Sequence, residues 1–168
     1  MTLPTSKFDR REHMNSDDLL EKLNTTELIY EATALVLWDI DPNQTVDSIA
    51  KYMYKGGVWP PQNSIELPRH IKPSQDDNRP DKKYWVLVKE ELTAFLCTND
   101  KRYKELWSRI EKLEKTSTSA VVLVVSAYLG ERFGVQAAVL AGFVAVIFYG
   151  AIKIGKEAYC RYSLPNAA

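Results

Sequence analysis

Residues Thr116–Ile152 read TSTSAVVLVVSAYLGERFGVQAAVLAGFVAVIFYGAI. Two charges interrupt the run, Glu131 and Arg132, and they are adjacent. They divide an uncharged arm of 15 residues (116–130) from one of 20 (133–152). As a helix the second arm spans about 30 Å, the thickness of a bilayer core, and the first about 22 Å. It carries ten Leu, Ile, Phe or Val residues, worth about −3 to −6 kcal/mol on insertion before small residues and Gln136 are counted. This pattern predicts a hydrophobic helical hairpin over 116–157, with the lipid bilayer as its partner.

The small residues of the second arm have order. Gly134, Ala138 and Gly142 are four apart, as are Ala137, Ala141 and Ala145. Two adjacent small stripes make a flat face on which another helix packs closely. Packing of one arm on the other within the chain is the simpler use. Packing between chains, giving a homo-oligomer, is the sharper one. Basic residues flank the hairpin on both sides, with Lys112 and Lys115 before it and Lys153, Lys156 and Arg161 after it. Under the positive-inside rule both flanks, and so residues 1–115 and the C-terminus, are expected on the cytoplasmic side. Tyr159 falls where an interfacial aromatic belt would lie.

Charge is partitioned along the chain. The 168 residues hold 22 Lys and Arg against 22 Asp and Glu, for a formal net charge of zero. Six of these charged residues follow Lys115 and the rest lie in residues 1–115. A neutral chain offers no global field for nucleic acid, so nucleic acid is not an expected partner. The N-terminus lacks the apolar core of a secretory signal, so residues 1–115 are expected to stay where they are made. Cys97 and Cys160 have no Cys or His at ligand spacing. Neither a disulfide framework nor a zinc site is expected of them.

Upstream of the hairpin the patterning is helical. Residues 1–15 read as a flexible tail. Ser16 followed by Asp17 and Asp18 looks like a helix start. Asn24-Thr25-Thr26-Glu27 is a second, with Asn as the cap. Leu28, Ile29, Ala32, Leu35 and Val36 form one stripe, and Val46, Ile49, Ala50 and Met53 another. Asp41-Pro42 separates them, the proline suiting the first turn of the second helix. Gly56-Gly57 stops that helix. Residues 56–80 hold five of the eight prolines and read as a long loop, anchored by Trp59 or used as a polyproline contact. Trp85, Val88, Leu92, Phe95 and Leu96 begin a further helix. Tyr103, Leu106, Trp107, Ile110 and Leu113 mark the next, the two forming a helical hairpin.

These elements predict an all-α protein: a helical domain over 16–115, interrupted by the proline-rich loop, then the apolar hairpin 116–157 and a tail 158–168. No phosphate-binding loop, dinucleotide fingerprint, zinc-protease helix or nucleophile elbow is present. His13 and His70 read as solvated loop residues, Asp39 and Asp41 as helix-terminating groups, and Asp76-Asp77 as a solvated pair. No catalytic, metal or cofactor residue is expected. The function expected is that of a non-enzymatic membrane-anchored protein, an oligomerising membrane-perturbing effector or an adaptor, whose N-terminal domain takes a protein partner. The alternative is a soluble oligomeric interaction protein with the hairpin buried in a subunit interface.

Overall fold

Helix starts in this chain are written in its polar residues. The computed structural model describes residues 14–57 and 80–164, mostly helical and without strands among those residues. The expectations placed on residues 1–13 of the N-terminal tail, on the proline-rich loop over 58–79 with Trp59, His70 and Asp76-Asp77, on His13, and on the end of the C-terminal tail lie outside the described residues. Asn15 caps α1 (Ser16–Lys22): its side chain accepts from the Asp18 amide at 2.9 Å, and Asp18 accepts from the Asn15 amide at 3.2 Å. This reciprocal box places the cap one residue before Ser16. Asn24 caps α2 (Thr25–Glu31) through the Glu27 amide at 3.0 Å.

The Leu28–Val36 stripe is not one helix. Backbone helicity breaks at Ala32, and a 3-10 turn, Thr33–Val36, leads into the single turn α3 (Leu37–Ile40). Thr45 and Ser48 then form a capping box for α4 (Val46–Tyr54), so this helix starts four residues beyond Pro42. A hydroxyl cap satisfies amides that the proline at 42 is too far upstream to relieve. The α4 stripe is buried in full: Val46, Ile49, Ala50 and Met53.

Asp81 caps α5 (Lys82–Cys97), and a 3-10 turn, Lys101–Tyr103, leads into α6 (Lys104–Glu111). The two meet through Phe95, whose ring lies 4.5 Å from that of Trp107 and 5.7 Å from that of Tyr103. The hairpin follows as α7 (Thr118–Phe133), capped by Ser117, and α8 (Ala137–Ile154). Its turn is set by Gly134, not by the charged pair. Gly134 has φ +77°, a left-handed cap that glycine adopts without Cβ strain, and Glu131 and Arg132 remain in the last turn of α7. Gly155 (φ +93°) separates α8 from the short α9 (Lys156–Ser163).

Helix α8 is the hub. Helices α1, α2, α4, α5, α7 and α9 all pack against it. Every residue from Gly142 to Ala151 is buried. Leu140, Phe143, Val144, Val146, Ile147 and Phe148 are at 0 % exposure. A helix that is apolar all round has no face suited to water, and here the surrounding helices supply the apolar solvent. Residues on both sides of position 115 belong to one core: Leu19, Leu28, Ile49, Leu92 and Leu106 cluster with Val125, Phe143 and Ile147.

The two cysteines are a correction to the sequence expectation. Cys97, the last residue of α5, and Cys160 of α9 form a disulfide, with Cα atoms 5.6 Å apart. Their 63-position separation hides a spatial proximity that arises because α9 folds back from α8 onto α5. Closing a loop of that length removes unfolded-chain entropy worth about 4 kcal/mol.

Candidate functional site

The hairpin seat is the feature with the most functional content, and it is built from close approaches. A Cβ on Gly130 would lie 2.5 Å from the Val135 carbonyl oxygen, so glycine is required where α7 turns back. The Gly130 carbonyl accepts from the amides of Gly134 at 2.8 Å and Val135 at 3.0 Å, closing the turn. On α8 a Cβ at Gly150 would meet Val46 Cγ1 at 2.3 Å. The aromatic ring of Trp85 meets Phe143 edge to face at 5.4 Å, and Trp38 lies 5.6 Å from Tyr149.

The six small residues of the predicted packing face are thereby divided. Gly142 and Ala145 are buried inside the chain. Ala137 and Ala141 are half-buried in the first turns of α8, and Ala138 is exposed. Gly134 is exposed and serves the turn. The predicted interfacial residues are divided as well. Lys112, Lys115, Lys153 and Arg161 are exposed. Lys156 is half-buried and pairs with Asp17 at 3.5 Å. Tyr159 lies in the core at 0 % exposure, and its hydroxyl shares a hydrogen bond of 2.8 Å with Thr93. Burial pushes its pKa above the ordinary tyrosine value.

The charged end of α7 is held rather than free. Arg132 lies 3.7 Å from Glu91 of α5, and Glu131 lies 3.5 Å from Arg109 of α6. The Tyr103 hydroxyl donates to the same Glu91, and the Tyr128 hydroxyl donates to the Arg102 carbonyl at 3.0 Å. Burial, followed by the bond to Glu91 and that group's charge, pushes the Tyr103 pKa up. The guanidinium groups of Arg109 and Arg132 each stand 5.7 Å from the Tyr128 ring. Exposed ion pairs of this kind are each worth less than about 1 kcal/mol, but together they fix the register of the tip.

The other end of α7 is docked to the α1–α2 junction. The Asn24 amide donates to Thr118 Oγ1 at 2.7 Å. Glu31 lies near Ser119, and burial raises its pKa more than that hydroxyl lowers it.

A second polar centre lies between α4, α5 and α9, in a groove of about 530 Å³. Asp47 accepts there from Trp85 Nε1 at 2.9 Å, from Lys89 Nζ at 2.7 Å and from the Tyr162 hydroxyl at 3.4 Å. Asp47 thereby ties α4 to α5 and α9. Sequence patterning missed Asp47 as a hub, because its partners come from positions 85, 89 and 162. Its one sequence signal is that it follows the capping Thr45 by two residues. Among the described residues no group of three or more His, Cys, Asp or Glu is placed to hold a metal.

Helix α8 is long and apolar enough to cross a membrane by length and composition, and 61 % of it is buried inside the fold. No protein-family model matches the chain, and neither a curated protein nor a solved structure matches it.

Proposed function

We propose that the chain is a non-enzymatic helical interaction protein that stores the second arm of its apolar hairpin, α8, inside its own shell of helices. The observation that carries this reading is the enclosure of α8 from Gly142 to Ala151. A bilayer anchor needs an outward apolar face, and close packing of α8 on a second chain through its small residues needs that face left open. The buried Gly142 and Ala145 leave neither in the central turns of α8. The chemistry of such a protein lies in its surface helices and in the partner they take.

A second reading has a specific observation in its favour. The 20 residues between Arg132 and Lys153 carry no charge, and α8 covers about 27 Å. That is enough to thread a hydrocarbon core if the shell opens. In this reading the protein is a membrane effector or anchor whose hairpin is withheld until a partner or signal releases it.

Flotation with liposomes separates the two. The full chain is expected to stay at the bottom of the gradient, and to elute as a well-defined species in light-scattering chromatography. Spontaneous co-flotation that resists carbonate would overturn the interaction-protein reading in favour of the membrane one. Dye leakage that accompanies flotation would then identify an effector rather than a passive anchor.

A further inference from the structure

We propose that the Cys97–Cys160 disulfide is a redox-operated latch on α9, opened by a dithiol reductant and hinged at Gly155. Helix α9 has eight residues, of which Tyr159 alone is buried. A helix this short does not hold its own conformation in water, so its order depends on what it is fastened to. Apart from the disulfide, α9 is fastened by the buried Tyr159 ring, by the Lys89 ammonium 5.6 Å from the Tyr162 ring and by three polar contacts. The Tyr159–Thr93 hydrogen bond is buried. The Lys156–Asp17 pair and the Tyr162–Asp47 contact are at the surface. The disulfide is the covalent tie between α9 and α5.

Access and a pivot are both present. Cys97 and Cys160 are partly exposed. Cys97 also lines a groove of about 740 Å³ shared with Asn15, Lys104 and Trp107. Gly155, between α8 and α9, holds a backbone conformation with positive φ, and a Cβ added there would meet nothing within 4 Å beyond its chain neighbours. The rest of the core is anchored elsewhere, since α8 is also gripped by α1, α2, α4, α5 and α7.

The exchange balances as follows. A thiolate of the dithiol attacks one sulfur, forms a mixed disulfide and expels the other cysteine as a thiolate. The second thiol of the reductant then displaces the remaining cysteine and closes the reductant into its own disulfide. Two electrons and two protons pass to the protein, leaving Cys97 and Cys160 as thiols. Helix α9 then opens locally, uncovering Thr93 and the adjoining surface of α5 and α8, while the hub stays folded.

Hydrogen exchange on the full chain tests this, comparing protein oxidised with diamide, protein reduced with dithiothreitol, and the double variant C97S/C160S without reductant. Reduction is expected to speed exchange of amides 156–164 by about tenfold or more beyond the common factor that loss of loop closure gives the core amides 121–129 and 140–148. The double variant is expected to follow the reduced protein. Equal α9 exchange in oxidised and reduced protein would overturn the latch. So would uniform acceleration in every helix, which would make the disulfide a staple of the whole fold. Mass spectrometry finding both cysteines still as thiols after oxidation would overturn it as well.

Discussion

Val46 of α4 occupies the space that a side chain at Gly150 of α8 would need, its Cγ1 lying 2.3 Å from the position of an added Cβ. Val46 is stiff at χ1 and buried, so it has little room to yield. Gly150→Ala gains up to about 1 kcal/mol of helix propensity and loses about 1–3 kcal/mol to overpacking. Net destabilisation is expected in urea melts, and Val46→Ala in the same chain is expected to restore much of it. Gly130→Ala supplies the contrast, because its added Cβ meets the Val135 backbone carbonyl. No side-chain truncation is expected to rescue it.

Phe143 distinguishes a protein-solvated α8 from a lipid-solvated one. It is fully buried and packed edge to face on Trp85. Phe143→Ala is expected to cost about 3–5 kcal/mol, the usual range for emptying an aromatic site in a packed core. Chemical denaturation of the purified chain measures it. A loss of a few tenths of a kcal/mol would mean that the side chain faces something softer than protein.

Glu31 gives a pH dependence of defined sign. Burial, the largest cause, raises its pKa above the ordinary 4.5. The folded state therefore holds the proton more tightly than the unfolded chain. Its contribution to stability is fully present below pH 4.5 and is lost as pH rises through the higher folded value. Glu31→Gln is expected to raise the melting temperature at pH 7 and to leave it nearly unchanged at pH 4. Thermal melts at the two values check the difference.

At the alkaline end the tyrosines matter. Tyr103 and Tyr159 both titrate above their ordinary value of 10.0, burial being the first cause in each. Stability is therefore expected to fall as pH climbs past 10, because the unfolded chain releases protons that the folded one retains. Tyr103→Phe and Tyr159→Phe are each expected to flatten that slope. At neutral pH Tyr159→Phe is expected to cost about 1 kcal/mol, the worth of its bond to Thr93.

Periodicity made much of this molecule legible. The α4 stripe of Val46, Ile49, Ala50 and Met53 is buried as its spacing implies, as are Trp85, Val88, Leu92, Phe95 and Leu96 of α5. The all-helical class follows from such stripes. What covers α8 was not legible, for a physical reason. A uniformly apolar helix has no polar face to reveal its orientation, and its composition is the same whether protein or lipid surrounds it. The Gly134 turn was obscured by the adjacent charged pair, which reads as a loop but fits the last turn of a helix. The ties between α5 and α9, at Cys97–Cys160 and Thr93–Tyr159, join residues more than sixty positions apart. No local pattern encodes such a contact.

The position of α8 in the chain has a consequence for biosynthesis. Five of the helices that pack on it, α1, α2, α4, α5 and α7, are translated first, so Leu19, Leu28, Ile49 and Leu92 emerge before the helix that completes their cover. Native packing around α8 waits until residues 137–154 have left the ribosome, so apolar surface stays uncovered through most of synthesis.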